Sequence, residues 1–253
     1  VNHVVWNKTS HPMLLLDLAL GSPPADVALD EALLAWASAR PEGEDREILR
    51  LWESPKHAVV IGRASKTADE VFLERCRDDD IPVLRRCSGG ASVLIGPGCL
   101  MYGVILDLAR SPHLAMISAA HQHVTERLAA ALRNLHLPVD VRGNCDLTID
   151  DHKFSGNALR IARTHVLYHG TILYDFDLSL VTRYLREPSR QPDYRSQREH
   201  NAFIRNIDAS PSALRNELAR QWEAKSPLTD WPRDATTRLV EEKYARDDWN
   251  LMR

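Results

Sequence analysis

The chain has 253 residues, enough for one large domain or two small ones and for a core that needs neither disulfides nor metals. With 44% hydrophobic and 26% charged residues it is an average globular sequence, which excludes collagen-like and low-complexity readings. A net charge of −3 offers no field for a nucleic-acid backbone, and the apolar runs fall far short of the roughly 20 residues that span a bilayer.

Residues 13–16 read as a short buried strand. Residues 13–20 do not make a secretion signal, because Asp17 interrupts them and a basic flank is missing. Ser22-Pro23-Pro24 breaks the strand, and Asp26 opens a helix to about Ser38 with Leu29, Leu33 and Trp36 on one face. Residues 48–52 and 58–61 read as strands around the Ser54-Pro55 turn, 67–76 as a helix and 82–86 as a strand. Residues 102–106 follow as a strand. The strongest helix is 113–135, where Ile117, Ala120, Val124, Leu128, Leu132 and Leu135 form one stripe. Strands are predicted at 138–142, 145–149, 154–161 and 166–174, with a hairpin turn at Asp150-Asp151-His152. Residues 187–200 read as a mobile polar loop, and 212–224 and 235–244 as helices. Strands on both sides of one long helix predict an α+β fold, a mixed and mostly antiparallel sheet packed by helices. Cys76, Cys87, Cys99 and Cys145 show no C-x-x-C spacing and suit free thiols in a cytoplasmic protein.

Generic nucleotide motifs are missing: no G-x-G-x-x-G and no G-x-x-x-x-G-K-[ST] occurs. Three other stretches carry chemistry. Arg85-Arg86-Cys87-Ser88-Gly89-Gly90-Ala91-Ser92-Val93 combines cations, a hydroxyl and glycines that let backbone amides approach an anion; equally, it reads as a turn with solvated arginines. Asp146 to Ala158, with Lys153, Ser155 and Gly156, reads in isolation as a polar hairpin. Tyr168-His169-Gly170-Thr171 places a histidine in a strand, usually a buried, hydrogen-bonded one. His121 and His123, two apart on a helix, make a poor metal pair.

Together, in this order, the three stretches resemble the lipoate–protein ligase A family, within a superfamily that includes octanoyl transferases and biotin–protein ligases. The R-R-x-S-G-G-G-A-V pattern is matched from Arg85 to Val93 with two changes, at Ala91 and Ser92. The G-x-x-D-L…K-x-S-G-x-A pattern is matched by Gly143, Asp146-Leu147, Lys153, Ser155-Gly156 and Ala158, and H-G-T-[LI]-L by His169-Gly170-Thr171-Ile172-Leu173. Ala28-Leu29-Asp30-Glu31-Ala32-Leu33, Leu51-Trp52, Val59-Val60-Ile61-Gly62-Arg63, Lys243-Tyr244 and Trp249-Asn250 add supporting matches. Departures are Ala64 and Cys99, where the family has asparagine, and Leu94-Ile95, where it often has a histidine.

The resemblance implies a biotin/lipoate-ligase-like catalytic domain over residues 1–253 without the accessory C-terminal domain of many bacterial ligases. It implies an ATP-dependent enzyme that activates lipoate or octanoate as acyl-adenylate, with Mg2+, and passes the acyl group to a lysine. The acceptors implied are lipoyl domains of 2-oxoacid dehydrogenases or a glycine-cleavage-type carrier protein. A separate polypeptide supplying the accessory domain is a further candidate partner. Lys153 is the expected catalytic cation, contacting the α-phosphate and acyl carbonyl. Arg85, Arg86, Ser88, Gly89, Gly90, Ala91, Asp146, Ser155, Gly156, His169, Gly170 and Thr171 are the expected binding residues. Val93, Leu94 and Tyr102 are expected to line an acyl tunnel. Two alternatives stand beside this reading: an ATP-independent octanoyl or lipoyl transferase, for which Cys145 would lie near Asn157 and Lys153, and a non-catalytic carrier-binding module. The arginine-rich stretch 183–205 is expected either to dock an acidic acceptor domain or to be a solvated loop.

Overall fold

The computed structural model describes residues 13–41, 44, 46–188 and 191–252. Its strands are β1 (Met13–Asp17), β2 (Ile48–Glu53), β3 (Ala58–Ile61), β4 (Val83–Arg85), β5 (Val93–Ile95) and β6 (Cys99–Asp107). They continue as β7 (Asp140–Arg142), β8 (Asp146–Ile149), β9 (His152–Ser155), β10 (Asn157–Ile161), β11 (His165–Leu173) and β12 (Ala224–Pro227). The main helices are α1 (Pro23–Ala39), α2 (Thr67–Glu70), α3 (Leu73–Asp78) and α4 (Ile117–Asn134).

A six-stranded sheet runs β10-β11-β6-β2-β1-β12, with two small sheets, β4-β3-β5 and β7-β8-β9, beside it. Most pairings are antiparallel; β1 with β2, β1 with β12 and β3 with β4 are parallel. This is the mixed α+β architecture that the sequence pattern predicts. Side-chain alternation sorts the large sheet into two faces. Tyr102, Val104, Leu106, Val166 and Tyr168 pack in one core with Val124, Leu128 and Leu132 of α4. Ile105 and Leu167 turn the other way, onto Leu29, Leu33 and Ala37 of α1. His169, two residues beyond Leu167, therefore faces α1.

Several boundaries differ from the pattern-based expectations. Pro23 and Pro24 sit inside the first turn of α1, where a missing N–H costs nothing. The 67–76 helix splits at Val71, whose extended backbone bridges Leu185. The 113–135 helix is a 3-10 turn (Pro112–Ala115) followed by α4, and Ile117 at its start is exposed. The 154–161 strand is two strands. β9 pairs with β8 and β10 with β11, so the chain changes sheets at Gly156. β5, a three-residue apolar strand, gave no periodic signal. The 212–224 helix ends at Gln221, because Glu223 adopts φ 53°, and the chain continues as β12.

The hairpin turn falls where Asp150-Asp151 predicts. Both residues have positive φ, 52° and 57°, as a tight hairpin turn demands. The described residues of stretch 187–200 do not form a free loop. Arg195 is only 3% exposed, pairs with Glu187 and stacks on the Phe203 ring at 4.6 Å. The Arg205 N–H donates to the Lys153 carbonyl at 3.0 Å, fixing this segment against the Lys153 hairpin.

Candidate active site

Three segments converge beside α1: the β4–β5 loop, the β8–β9 hairpin with the Gly156 crossover, and β11. Lys153 on β9 points its Nζ at Asp146 Oδ1 on β8, 2.7 Å away. The other Asp146 oxygen accepts the Tyr194 hydroxyl at 2.7 Å, and burial with the nearby carboxylate pushes that phenol up. Gly156 lets the lysine lie flat: a Cβ there would meet Lys153 Cε at 3.0 Å. Ser155 Oγ is 1% exposed on the residue level and donates to Asn157 Oδ1 at 3.5 Å.

The Gly-rich loop is held from within by Arg86. Its guanidinium donates to the carbonyls of Val60, Gly89 and Ala91 and to Ser88 Oγ, all neutral acceptors. Among the described residues it forms no ion pair, and burial pulls it down to about 10. Its hydrogen-bond partners are carbonyl and hydroxyl dipoles, with the Glu70 carboxylate acting on it from beyond ion-pair range. Gly62 packs under the loop so closely that a Cβ would lie 1.9 Å from the Gly90 carbonyl oxygen.

Arg85 sits elsewhere. It is fully buried, with its guanidinium on the carbonyls of Gly62, Arg63, Ser65 and Trp249 and on Thr67 Oγ1. The structure assigns it to holding the loop's base rather than to the cleft.

His169 is gripped at both nitrogens. Nδ1 lies 2.7 Å from Asp30 Oδ2 and Nε2 lies 2.6 Å from Ser88 Oγ. A carboxylate oxygen accepts, so Nδ1 donates to Asp30 while Nε2 faces the Ser88 hydroxyl. Burial alone would raise Asp30; the Arg50 charge and the His169 hydrogen bond outweigh it and hold the carboxyl below the ordinary range. The Asp–His–Ser order resembles a charge relay. Ser88, however, is 1% exposed and does not line either cleft, so the chain of bonds fixes the ring and the loop instead.

Two clefts share the walls Ala91, Ser92, Val93, Lys153, Gly156 and Thr171. The first, about 110 Å³, adds Val27, Trp52, Val60 and Met101 with Arg86 and His169. The second, about 140 Å³, adds Leu94, Phe154, Phe203 and Ile204 with Arg186, Arg195 and His200. Lys153 stands at their junction. Of the expected residues, Arg86, Ala91, Gly156, His169, Gly170 and Thr171 line the first cleft and Ser155 the second, while Asp146 meets Lys153 from behind. Gly89 and Gly90 lie in the loop and line neither cleft. Val93 borders both clefts and Leu94 the second, while Tyr102 is buried and bonded to Asn157. The sequence gives Asp30 and Trp52 only as supporting matches, without a place at the cleft, and it does not foresee the wall of Arg186, Pro188, Arg195, His200, Phe203 and Ile204, whose cations read as solvated.

Cys145 does lie beside Asn157, its Sγ donating to the Asn157 carbonyl at 3.4 Å. Burial, then Asp146, pushes its thiol up to about 11. Cys76, Cys87 and Cys99 are buried, and their thiols are raised by burial too. Among the described residues no group of three or more His, Cys, Asp or Glu is placed to hold a metal ion. No helix there is long and apolar enough to cross a membrane.

The docking expectation for 183–205 changes in detail. Arg195 is buried, Arg183 pairs with Asp79 and Arg205 with Asp150. Arg190 lies outside the described residues. The cations of this stretch are largely committed to the fold and the second cleft.

Comparison with known proteins gives a consistent family. The model of the lipoyl protein ligase A/B catalytic domain matches residues 22–220. A "probable lipoate-protein ligase A" of Mycoplasma pneumoniae is 31% identical over 163 residues, covering 64% of this chain but 46% of that one. The chain thus spans less than half the length of that relative. The octanoyltransferase LipM of Brevibacillus brevis is 26% identical over 268 residues, 92% of this chain and 96% of that one. The bi-partite lipoate protein ligase of Thermoplasma acidophilum, solved in a study that includes its E2 lipoyl domain, superposes with a TM-score of 0.80 at 22% identity, over 96% and 97% of the two chains. The fold is therefore that of the biotin/lipoate-ligase catalytic domain.

Proposed function

The chain belongs to the lipoyl protein ligase A/B catalytic domain family, and we propose that it is an ATP-dependent lipoate–protein ligase whose described residues act as one catalytic unit. The observation that carries this is Lys153 at the junction of two clefts of different character. The first cleft is apolar with a buried, ion-pair-free Arg86, which suits the carboxylate of a medium-chain acyl acid. The second carries Arg186, with Arg195 paired to Glu187 behind it and Glu70 on the same wall, and in this reading Arg186 with Lys153 would face the nucleotide phosphates. At the junction an ammonium can bridge acyl carbonyl and α-phosphate as negative charge builds on both. Mg2+ would enter on the nucleotide, since it binds chiefly through substrate phosphates with one or two carboxylates. The acceptor would be the lysine of a lipoyl-type domain.

A second reading is direct acyl transfer from a carrier thioester, favoured by the near full-length match to an octanoyltransferase. The thiols weigh against the acyl-cysteine form of it. Cys145, raised to about 11 and held on a carbonyl, supplies little thiolate at neutral pH. One set of intact-mass readings separates the two. Lipoate or octanoate, ATP and an apo lipoyl domain form one arm; an octanoyl-carrier donor without nucleotide forms the other. Acylation only in the first arm is expected. Acylation in the second makes the chain a transferase, and silence in both leaves the carrier-binding module.

Cys145→Ser is expected to stay within about two-fold of wild-type turnover, because its thiol is neither ionised nor aimed at a cleft. A trapped acyl-enzyme on Cys145 would reverse that assignment. Gly156→Ala is expected to cost about 10–100-fold in turnover at nearly unchanged melting temperature. The added methyl displaces only the flexible Lys153 end, and about 1 Å of misplacement suffices for such a loss. An undiminished rate in Gly156→Ala would show that the observed lysine position is not the working one.

A further inference from the structure

β4 is an edge strand, so one side of it presents unpaired backbone groups. Side chains from the short helix Asp247–Asn250 take the place of the missing neighbour. The Arg85 N–H donates to Asn250 Oδ1 at 2.9 Å, and Trp249 Nε1 donates to the Arg85 carbonyl at 2.8 Å. The Arg85 guanidinium returns a bond to the Trp249 carbonyl at 3.1 Å. The next residue, Arg86, begins the Gly-rich loop and lines the apolar cleft.

The same segment grips a second wall. Asn250 Nδ2 donates to the Tyr244 carbonyl at 2.9 Å. The Tyr244 hydroxyl and Lys243 Nζ both reach Glu31 Oε2, at 2.6 and 2.7 Å. Burial would raise Glu31, but Lys243, Tyr244 and Arg160 outweigh it and hold the carboxyl below its usual range. Glu31 is next to Asp30, which holds the His169 ring. Its other oxygen takes Arg160 of β10 at 2.6 Å, so a third wall is tied to the same carboxylate. Lys243 also lies 4.0 Å over the Trp249 ring, which stiffens the link between the two grips.

We propose that residues 243–250 are a positioning clamp for the acyl cleft: Trp249 and Asn250 set the start of the Gly-rich loop while Tyr244 and Lys243 set α1. None of residues 243–250 lines either cleft. It acts by fixing the distance between Arg86 on one wall and His169, through Asp30, on the other. This rests on the acyl-ligase reading of the cleft. Its expected signature is selective: weaker binding of the acyl acid with acceptor kinetics untouched.

The test measures octanoate binding by calorimetry and steady-state kinetics in Asn250→Ala, Trp249→Phe and Asn250→Asp. Asn250→Ala and Trp249→Phe each remove about one hydrogen bond between clamp and loop. A loss of that size corresponds to up to about ten-fold in octanoate Kd. The acceptor-domain KM should stay unchanged and kcat within about two-fold. Asn250→Asp keeps the oxygen that receives the Arg85 N–H but sets its second carboxylate oxygen against the Tyr244 carbonyl, so it should bind octanoate no better than Asn250→Ala. Trp249→Phe keeps the ring and carries the test should Asn250→Ala fail to fold. An unchanged octanoate Kd in a folded Trp249→Phe overturns the clamp, as does an equal rise in acceptor KM. If the wild type itself binds neither octanoate nor lipoate, the acyl-ligase reading falls instead, and the two failures are told apart.

Discussion

Lys153→Ala is expected to lower single-turnover acyl transfer by about 10²–10³-fold, or 3–4 kcal/mol of activation free energy, with the fold retained. The fold should survive because the hairpin is set by the Asp150-Asp151 turn and the β8–β9 ladder, neither of which uses the lysine side chain. Asp146 keeps the Tyr194 hydroxyl as a donor, so the truncation does not strand a buried carboxylate. What disappears is the ammonium that lines both clefts, which in the proposed reaction would follow charge from the acyl carboxylate to the phosphate. Lys153→Arg should rescue poorly. A planar guanidinium is wider than an ammonium and cannot place one nitrogen where the lysine Nζ lies folded over Gly156 and against Asp146. Near-full transfer by a folded Lys153→Ala would remove the junction from the mechanism.

How far the site could be read from the sequence depended on where its determinants sit along the chain. Local motifs were legible: the Asp-Asp turn, the Lys-x-Ser-Gly crossover and the His-Gly-Thr strand each declare themselves within a few residues. Their roles were less so. Arg85 and Arg86 are adjacent and chemically identical, yet strand alternation sends one to the loop's base and the other to the cleft wall. Nothing in the pair tells them apart before the register of β4 against β3 is known. Asp30 stands in a supporting match without a role, because its role comes from His169, 139 positions away. The 186–204 segment misled for a different reason. Its arginines look solvated, but Phe203 gives Arg195 an apolar and aromatic surface to lie on. The single strand expected at 154–161 failed at Gly156, where the ladder changes partner without any break in apolar content.

Arg50→Ala is expected to destabilise the protein by about 3–5 kcal/mol at neutral pH, read from denaturant midpoints, the range for breaking a buried ion pair. Arg50 on β2 is 1% exposed and bridges two carboxylates of α1, Asp26 at 2.9 Å and Asp30 at 2.6 Å. It also donates to the Asp26 carbonyl at 2.6 Å and stacks 4.7 Å from the Trp52 ring. Removing it leaves two buried carboxylates, 0% and 5% exposed, with no cation between them. The sign of the pH dependence follows. In the wild type Asp30 sits below its ordinary value, so its contribution is present above about pH 4 and is lost as pH falls through the folded value. In the variant both carboxyls are raised by burial, as Asp26 already is, so they are favourable only when protonated. The stability gap between wild type and variant should therefore narrow as the pH is lowered from 7 toward 4. A gap that stays constant over that range would mean that lost packing on Trp52, not charge, dominates. Function should fail alongside stability: an unanchored Asp30 no longer fixes the His169 ring, and Trp52, a wall of the first cleft, loses the guanidinium that lies over it.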